Sequence, residues 1–297
     1  MPPTRAGVGP SCIALPSGAW HLLLDFLVHQ FPAVAHDEWY RRMEAGEVLD
    51  TDGVALAANT PFRAGARIFY YRSLPNEPVI PFEETILFQD SHLIAVDKPH
   101  FLPVIPAGRY LQQTLLVRLK RRLGIDTLAP MHRLDRETAG IVLFTIAPST
   151  RAAYQALFRA RAVTKHYQAI ARWRPDLLFP LTVHSRLADG ESFMKMREVA
   201  GPPNAETTIT LQQVKGDLAR YGLQPATGQR HQLRVQMETL GMPILNDRIY
   251  PHHLPEPAAG SVPDYHNPLQ LLARSIEFID PVTGELRRFE SRLRLQF

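Results

Sequence analysis

The stretch from Pro130 to Phe144 constrains this chain more than any other. The charged cluster His132-Arg133-Leu134-Asp135-Arg136-Glu137 runs into Ala139-Gly140-Ile141-Val142-Leu143-Phe144, an apolar run with β-branched residues, bounded by Gly140 and Pro148. Such a run reads as a buried strand. The charges therefore stand at the mouth of a core element, where each must be paired or used. Asp135, between Arg133 and Arg136, has two nearby cations to keep it ionised. Taken alone, the stretch leaves two readings open: a structural Arg–Asp pair at a strand end, or a carboxylate poised as nucleophile or base.

Composition sets the frame for that choice. The 297 residues suit one large or two modest domains, and 45% hydrophobic with 21% charged residues is ordinary for a globular chain. The 33 Lys+Arg against 29 Asp+Glu permit a polyanionic partner without requiring one. A single cysteine, Cys12, excludes a disulfide framework and a cysteine-based metal site, and fits a reducing, cytoplasmic setting. No stretch approaches the roughly 18 apolar residues of a membrane span. Prolines and glycines interrupt the N-terminus before any apolar core of signal-peptide length develops.

Along the chain, residues 1–17 read as irregular. Residues 22–28 read as a helix ended by Phe31-Pro32, and a second helix runs from Asp37, as N-cap, to Gly46. Val48-Leu49 and Val54-Ala55-Leu56 flank Asp52-Gly53, a hairpin signal, and residues 67–71 form a short strand. A linker over 74–78 then separates this small helix–helix–hairpin domain, residues 18–76, from a larger one over 81–297. The larger domain opens with a hairpin, 86–88 and 93–96. Leucines at helical spacing over 111–123 carry Arg118, Lys120, Arg121 and Arg122 on the other face, a solvated surface or a nucleic-acid contact. A helix capped by Ser149, strands at 163–173 and 209–211, a turn into a helix at 227–235, and strands at 269–279 and 287–295 complete it. The segment 251–268 reads as a surface loop, and the irregular spacing of His252, His253 and His266 argues against a metal site. The order is mixed and richer in strands than helices, which predicts an α+β fold.

Five motifs in order change the weight given to Asp135. His132-Arg133-Leu134-Asp135, followed by Thr138-Ala139-Gly140, resembles the catalytic motif of the RluA-type pseudouridine synthases. Residues 88–99 are similar to that family's first motif, and Lys165-His166-Tyr167 to its tyrosine strand. Thr227-Gly228, His231-Gln232-Leu233-Arg234-Val235 and Gly241-Met242-Pro243-Ile244 resemble its arginine motif. Leu271, Phe278, Asp280-Pro281 and Thr283-Gly284-Glu285 resemble its C-terminal signature. The resemblance spans about residues 83 to 290. It implies a mixed, largely antiparallel sheet, with Asp135, Tyr167 and Arg234 as catalytic residues. It further implies His132, Arg133, Arg136, Thr138, Arg230, His231, Gln232 and Leu271 as substrate-binding residues, no cofactor, no metal, and a monomer acting on ribosomal or transfer RNA. Residues 18–73 resemble the small alpha-L RNA-binding module, with the acidic Asp37-Glu38 where that module usually carries Ser-Arg. Because such a module often accompanies ribosomal targets, ribosomal RNA is favoured. The chain departs from the family's usual Arg, hydroxyl residue, His and Gly with Gln229, Arg230, Gln236 and Asn246, and has Leu272 where His is frequent.

These residues make physical sense for uridine isomerisation, which breaks an N-glycosidic bond, turns the base and rejoins it through carbon. An ionised carboxylate must attack the ribose or base, or take a ribose proton. Arg234 would keep Asp135 charged and aimed. Tyr167 offers a stacking ring and a hydroxyl for the proton leaving carbon 5. Leu271 would form an apolar wall. Arg133 and Arg136 would hold phosphates around a base drawn out of its stack. Two rivals remain at this stage. One is a non-catalytic RNA binder of the same fold. The other is a glycoside hydrolase, which needs a second carboxylate that Glu137 alone could supply.

Overall fold

In a computed structural model, residues 2–74, 77–190, 195–254 and 264–297 are described. Pro75 and Asn76 of the expected linker, and residues 255–263 of the expected surface loop, lie outside them. The chain divides into two compact units, residues 1–77 with 120–126, and residues 78–119 with 127–297.

The small unit contains β1 (Ser11–Ala14), α1 (Leu23–Gln30), α2 (His36–Glu44), β2 (Val48–Leu49) and β3 (Arg67–Tyr70). Both helices turn apolar faces inward, so that Leu23, Phe26, Leu27, Trp39 and Met43 pack on Val48 and Ile68. Three expectations are corrected here. Residues 1–17 are not wholly irregular, because β1 pairs antiparallel with β3, Ser11 opposite Tyr70 and Ala14 opposite Arg67. The strand gives β3 a second neighbour in a three-stranded sheet ordered β1-β3-β2. β2 pairs with β3 over both its residues, and the expected hairpin with residues 54–56 is present but reduced to one antiparallel bridge, Leu49–Ala55, closed by Asp50 N on Val54 O and Leu56 N on Val48 O. Asp50 explains the change. Its carboxylate accepts from Asp52 N at 2.9 Å and Val54 N at 2.8 Å, folding the segment into a tight turn. The N-cap of α2 is Ala35, and Asp37 lies in the first turn, where a negative charge still complements the helix dipole.

The larger unit follows with β4 (Thr85–Gln89), β5 (Leu93–Lys98), α3 (Leu115–Leu123, of which residues 120–123 belong to the small unit), β6 (Ala129–Pro130), β7 (Ala139–Thr145) and α4 (Arg151–Arg159). It continues with β8 (Thr164–Arg172), β9 (Leu181–Asp189), β10 (Met196–Val199), β11 (Ala205–Lys215), β12 (Leu218–Pro225), α5 (Gln232–Thr239), β13 (Leu271–Ile279) and β14 (Leu286–Glu290). An 11-stranded sheet runs β10-β9-β11-β12-β8-β13-β7-β5-β4, with β14 on β13 and β6 on β7. Every pairing is antiparallel except β7 with β13, so the mixed, largely antiparallel α+β fold is borne out. The apolar run after Asp135 is β7, buried at all seven positions in the middle of the sheet.

Smaller corrections follow from backbone bonding. The helix expected from residue 111 begins at Leu115, because the N–H groups of Leu115 and Leu116 are taken by the carbonyls of Pro103 and Val104. The N-cap of α4 is Thr150, one residue past Ser149. The last strand stops at Glu290 because Ser291 Oγ and Arg292 N both turn to the buried Asp97 carboxylate, at 2.7 Å each.

One contact positions the site. Ala273 of β13 lies beside Gly140 of β7 on one side and opposite Tyr167 of β8 on the other. Gly140 has φ +114, and a Cβ there would come within 2.2 Å of Ala273 O. Only glycine lets the two backbones approach this closely. The turn carrying Asp135 is thereby held near the strand carrying Tyr167.

Candidate active site

Asp135 sits in the turn that enters β7. Thr138 N donates to Asp135 O at 3.1 Å and closes the turn. Two side chains from β5 and the loop after it cradle its far side. The fully buried Lys98 Nζ donates to Arg136 O at 3.1 Å, and also to Pro99 O and Leu102 O. His100 Nδ1 bonds Glu137 O at 2.7 Å. Burial pushes Lys98 down to about 7 against the pull of Glu137 and Asp135, and pushes His100 down to about 4. Sequence reasoning treated Lys98-Pro99 as a strand end and missed this bracing. The signal available was a lysine ending an otherwise apolar run.

The cation on Asp135 comes from 99 residues away. Arg234, 2% exposed, donates from Nη1 to Asp135 Oδ2 at 3.3 Å. Its other two bonds go to Asp247, from Nε at 2.8 Å and Nη2 at 2.6 Å. Asp247 is 1% exposed and also accepts from Ile249 N and Tyr250 N. Its charge and that of Asp135 raise Arg234 further despite burial, the largest influence and an opposing one. A bidentate pair of this kind fixes both the position and the plane of the guanidinium. The expectation that Arg133 and Arg136 hold Asp135 is corrected: Arg136 pairs with Glu137 at 2.7 Å, and Arg133 is exposed. Sequence reasoning missed Asp247. An acid at the end of the arginine motif, needed once Arg234 is buried, was the clue.

His231 is the N-cap of α5, with φ +53, a left-handed conformation uncommon for residues other than glycine. Its Nε2 lies 3.8 Å from Asp135 Oδ2 and its Nδ1 bonds Tyr250 Oη at 3.0 Å. Gln232, expected to touch substrate, spends its amide on the protein instead. It accepts from Thr227 Oγ1 and Gln229 N and donates to Glu206 O and Thr207 Oγ1. His132 is likewise enclosed: it accepts from Leu143 N at 3.2 Å and stacks on Phe158, and burial pushes it down to about 3. Two departures from the family pattern have local reasons. Asn246 supplies the φ of +64 for which glycine is usual. Gln236 is buried and bonds Thr207 Oγ1 and Ser185 Oγ.

Tyr167 is half-buried, and burial together with the Asp135 charge pushes its phenol well above the ordinary tyrosine range. Leu271 is 2% exposed and packs with Tyr167. All eleven residues expected at the site, from His132 to Leu271, line one cleft of about 1100 Å³. Thr138 lies in its wall, 3% exposed, and Arg230 at its rim, bonding Lys195 O. Arg159, Arg161, Lys165 and Arg248 add positive charge to the lining. The cleft thus joins an ionisable carboxylate held by a buried guanidinium, a flat ring, an apolar wall and a cationic rim. That combination suits a polyanion with an extruded planar base.

Comparison with known proteins agrees. The family described as RNA pseudouridylate synthase matches residues 92–239. The dual-specificity RNA pseudouridine synthase RluA of Haemophilus influenzae is 31% identical over 220 residues, covering 73% of this chain and 96% of that protein. The mitochondrial tRNA pseudouridine(32) synthase of Saccharomyces cerevisiae is 30% identical over 236 residues, 77% of this chain and 50% of the yeast protein. Among solved structures, human RNA pseudouridylate synthase domain containing 4 aligns with a TM-score of 0.54 at 27% identity, over 70% of this chain and 88% of that one. Fold and cleft define an RNA-modifying isomerase. The chain belongs to the RNA pseudouridine synthase family, in its RluA-type branch.

Proposed function

We propose that this enzyme converts specific uridines of structured RNA to pseudouridine, with Asp135 as the catalytic carboxylate. The observation that carries the assignment is the Asp247–Arg234–Asp135 line, which delivers one guanidinium bond to a carboxylate beside Tyr167. Arg234 holds Asp135 ionised and aimed at an extruded nucleoside. Asp135 attacks the ribose or base, or takes a ribose proton; each route begins with the same ionised oxygen. Tyr167 serves first as the platform on which the uracil rests while it turns. Its phenol keeps its own proton across physiological pH, so taking the proton from carbon 5 requires passing its own onward. Leu271 closes the apolar side.

Ribosomal RNA is the favoured target, because the small unit resembles a module that accompanies ribosomal targets. Transfer RNA is the second reading, supported by the likeness to a yeast enzyme named for transfer RNA. The small unit contributes an accessory RNA contact of modest strength, since Arg5, Arg41 and Arg42 face its own Glu47 and Glu38. The enzyme acts as a cytoplasmic monomer. Among the described residues no helix is long and apolar enough to cross a membrane. The test is tritium release from RNA labelled at uridine carbon 5, followed by carbodiimide primer-extension mapping in cells with and without the gene. A site lost from ribosomal RNA supports the favoured target, a site lost only from transfer RNA replaces it, and no release refutes the activity.

A further inference from the structure

Lys165 and Arg161 are cleft cations that the proposed chemistry does not use. Lys165 lies two residues before Tyr167 on β8, so both side chains project from the same face, about 7 Å apart along the strand. Its Nζ donates to Thr227 O at 2.8 Å, one of the three bonds an ammonium can make. Gly228 lies beside the ammonium, where a Cβ would make only an ordinary contact, 3.8 Å from Nζ. Burial and the neighbouring Arg161 both push Lys165 below its usual value, and Lys165 in turn depresses His132. Among the described residues no ion pair joins a carboxylate to either cation.

Arg161 follows α4 at a position with φ +55, where helices commonly end in glycine. The local backbone is fixed by Ala162 N donating to Leu157 O at 2.9 Å. A non-glycine residue in this conformation is strained, and strain of that kind is kept where a side chain is needed. Two adjacent cations, one partly buried, are unfavourable without an anion between or beside them.

We propose that Lys165 and Arg161 form a seat for one phosphodiester of the RNA backbone, next to the uridine resting on Tyr167. The proposal rests on the RNA-modifying reading above and extends it to a defined subsite. Lys165 supplies a charge held in place by Thr227, and Arg161 supplies the fork that reaches a second phosphate oxygen. The occupant is recognised by charge and not by base, so the seat fixes the register of the strand without choosing its sequence.

The test measures binding of labelled in-vitro transcripts of ribosomal and transfer RNA to the full chain across a salt series, alongside tritium release. Arg161→Gly should weaken binding several-fold and reduce the salt slope by about one. It should raise KM more than it lowers kcat, and leave the melting temperature unchanged or higher because the strain is relieved. Lys165→Gln should weaken binding in the same way, and Lys165→Arg should restore most of it. Unchanged affinity and salt slope in both Arg161→Gly and Lys165→Gln would overturn the seat. So would a Lys165→Gln loss that leaves the salt slope intact and is not rescued by arginine, since Lys165 would then only be tethering Thr227. If the parent enzyme releases no tritium but the slope still falls in both variants, the seat stands and the isomerase reading fails.

Discussion

Asp247 and Asp135 share one guanidinium but stand to lose different things. Asp135→Asn preserves shape and removes the charge, so RNA should still bind within a few-fold while pseudouridine formation falls below a few per cent. Retained turnover in the tritium assay would make Asp135 structural. Asp247→Ala strands a buried Arg234 with half its partners, and loss of one partner of a buried pair costs about 3–5 kcal/mol. The melting temperature should therefore fall by about 6–15 °C, with activity falling as Asp135 loses its brace. Tyr167→Phe keeps the ring and removes the hydroxyl. If that hydroxyl handles the carbon-5 proton, kcat should drop by about 100-fold or more with little change in KM. Part of the acid stability rests on His132 and His100, half-buried and neutral, with values pushed down by burial to about 3 and about 4. Unfolded, each takes a proton near its ordinary value of about 6.5. Their contribution is complete above that pH and drains away as pH falls toward 3–4. Thermal melts of parent and His132→Gln should converge on acidification through that window; parallel curves would refute the assignment.

At the level of elements, the parallel contact between β7 and β13 depends on a missing side chain. Gly140→Ala would push a methyl group into Ala273 O in a backbone conformation that alanine resists, at a cost of about 3 kcal/mol or more. A variant that melts like the parent would show that the sheet opens more easily than its geometry implies. The apolar run of β7 announced its own burial, and the five motifs in order announced the family and the cleft. What the sequence hid was partnership across long separations. The flanking Arg133 and Arg136 were the obvious counter-ions for Asp135, and the cation came instead from Arg234, because α5 packs beside the turn. Lys98 and His100 look like a strand end and a loop residue until the turn they support is present. Gln232 reads as a substrate contact in a motif and proves to be the staple of its own loop. β1 was hidden because four residues among prolines and glycines form a strand only when β3 offers an edge.

Over the whole molecule, charge is unevenly divided. Residues 1–77 carry 6 Lys+Arg against 8 Asp+Glu, and residues 78–297 carry 27 against 21. Affinity for RNA that rests on phosphate contacts falls steeply with salt. The salt slope should therefore belong to the cleft-bearing unit. Substituting the exposed Arg63 and Arg67 together by Gln should change it by less than half a unit, against about one unit for each cleft cation. A change of two units would mean that the small unit grips phosphate strongly despite its balance. The order of the strands carries a last consequence, for synthesis. The sheet places β13, residues 271–279, between the strand following Asp135 and the strand bearing Tyr167. A nascent chain that has already made Asp135, Tyr167 and Arg234 still lacks the strand that brings the first two together. Assembly of the site therefore waits on a strand made after all three of these residues.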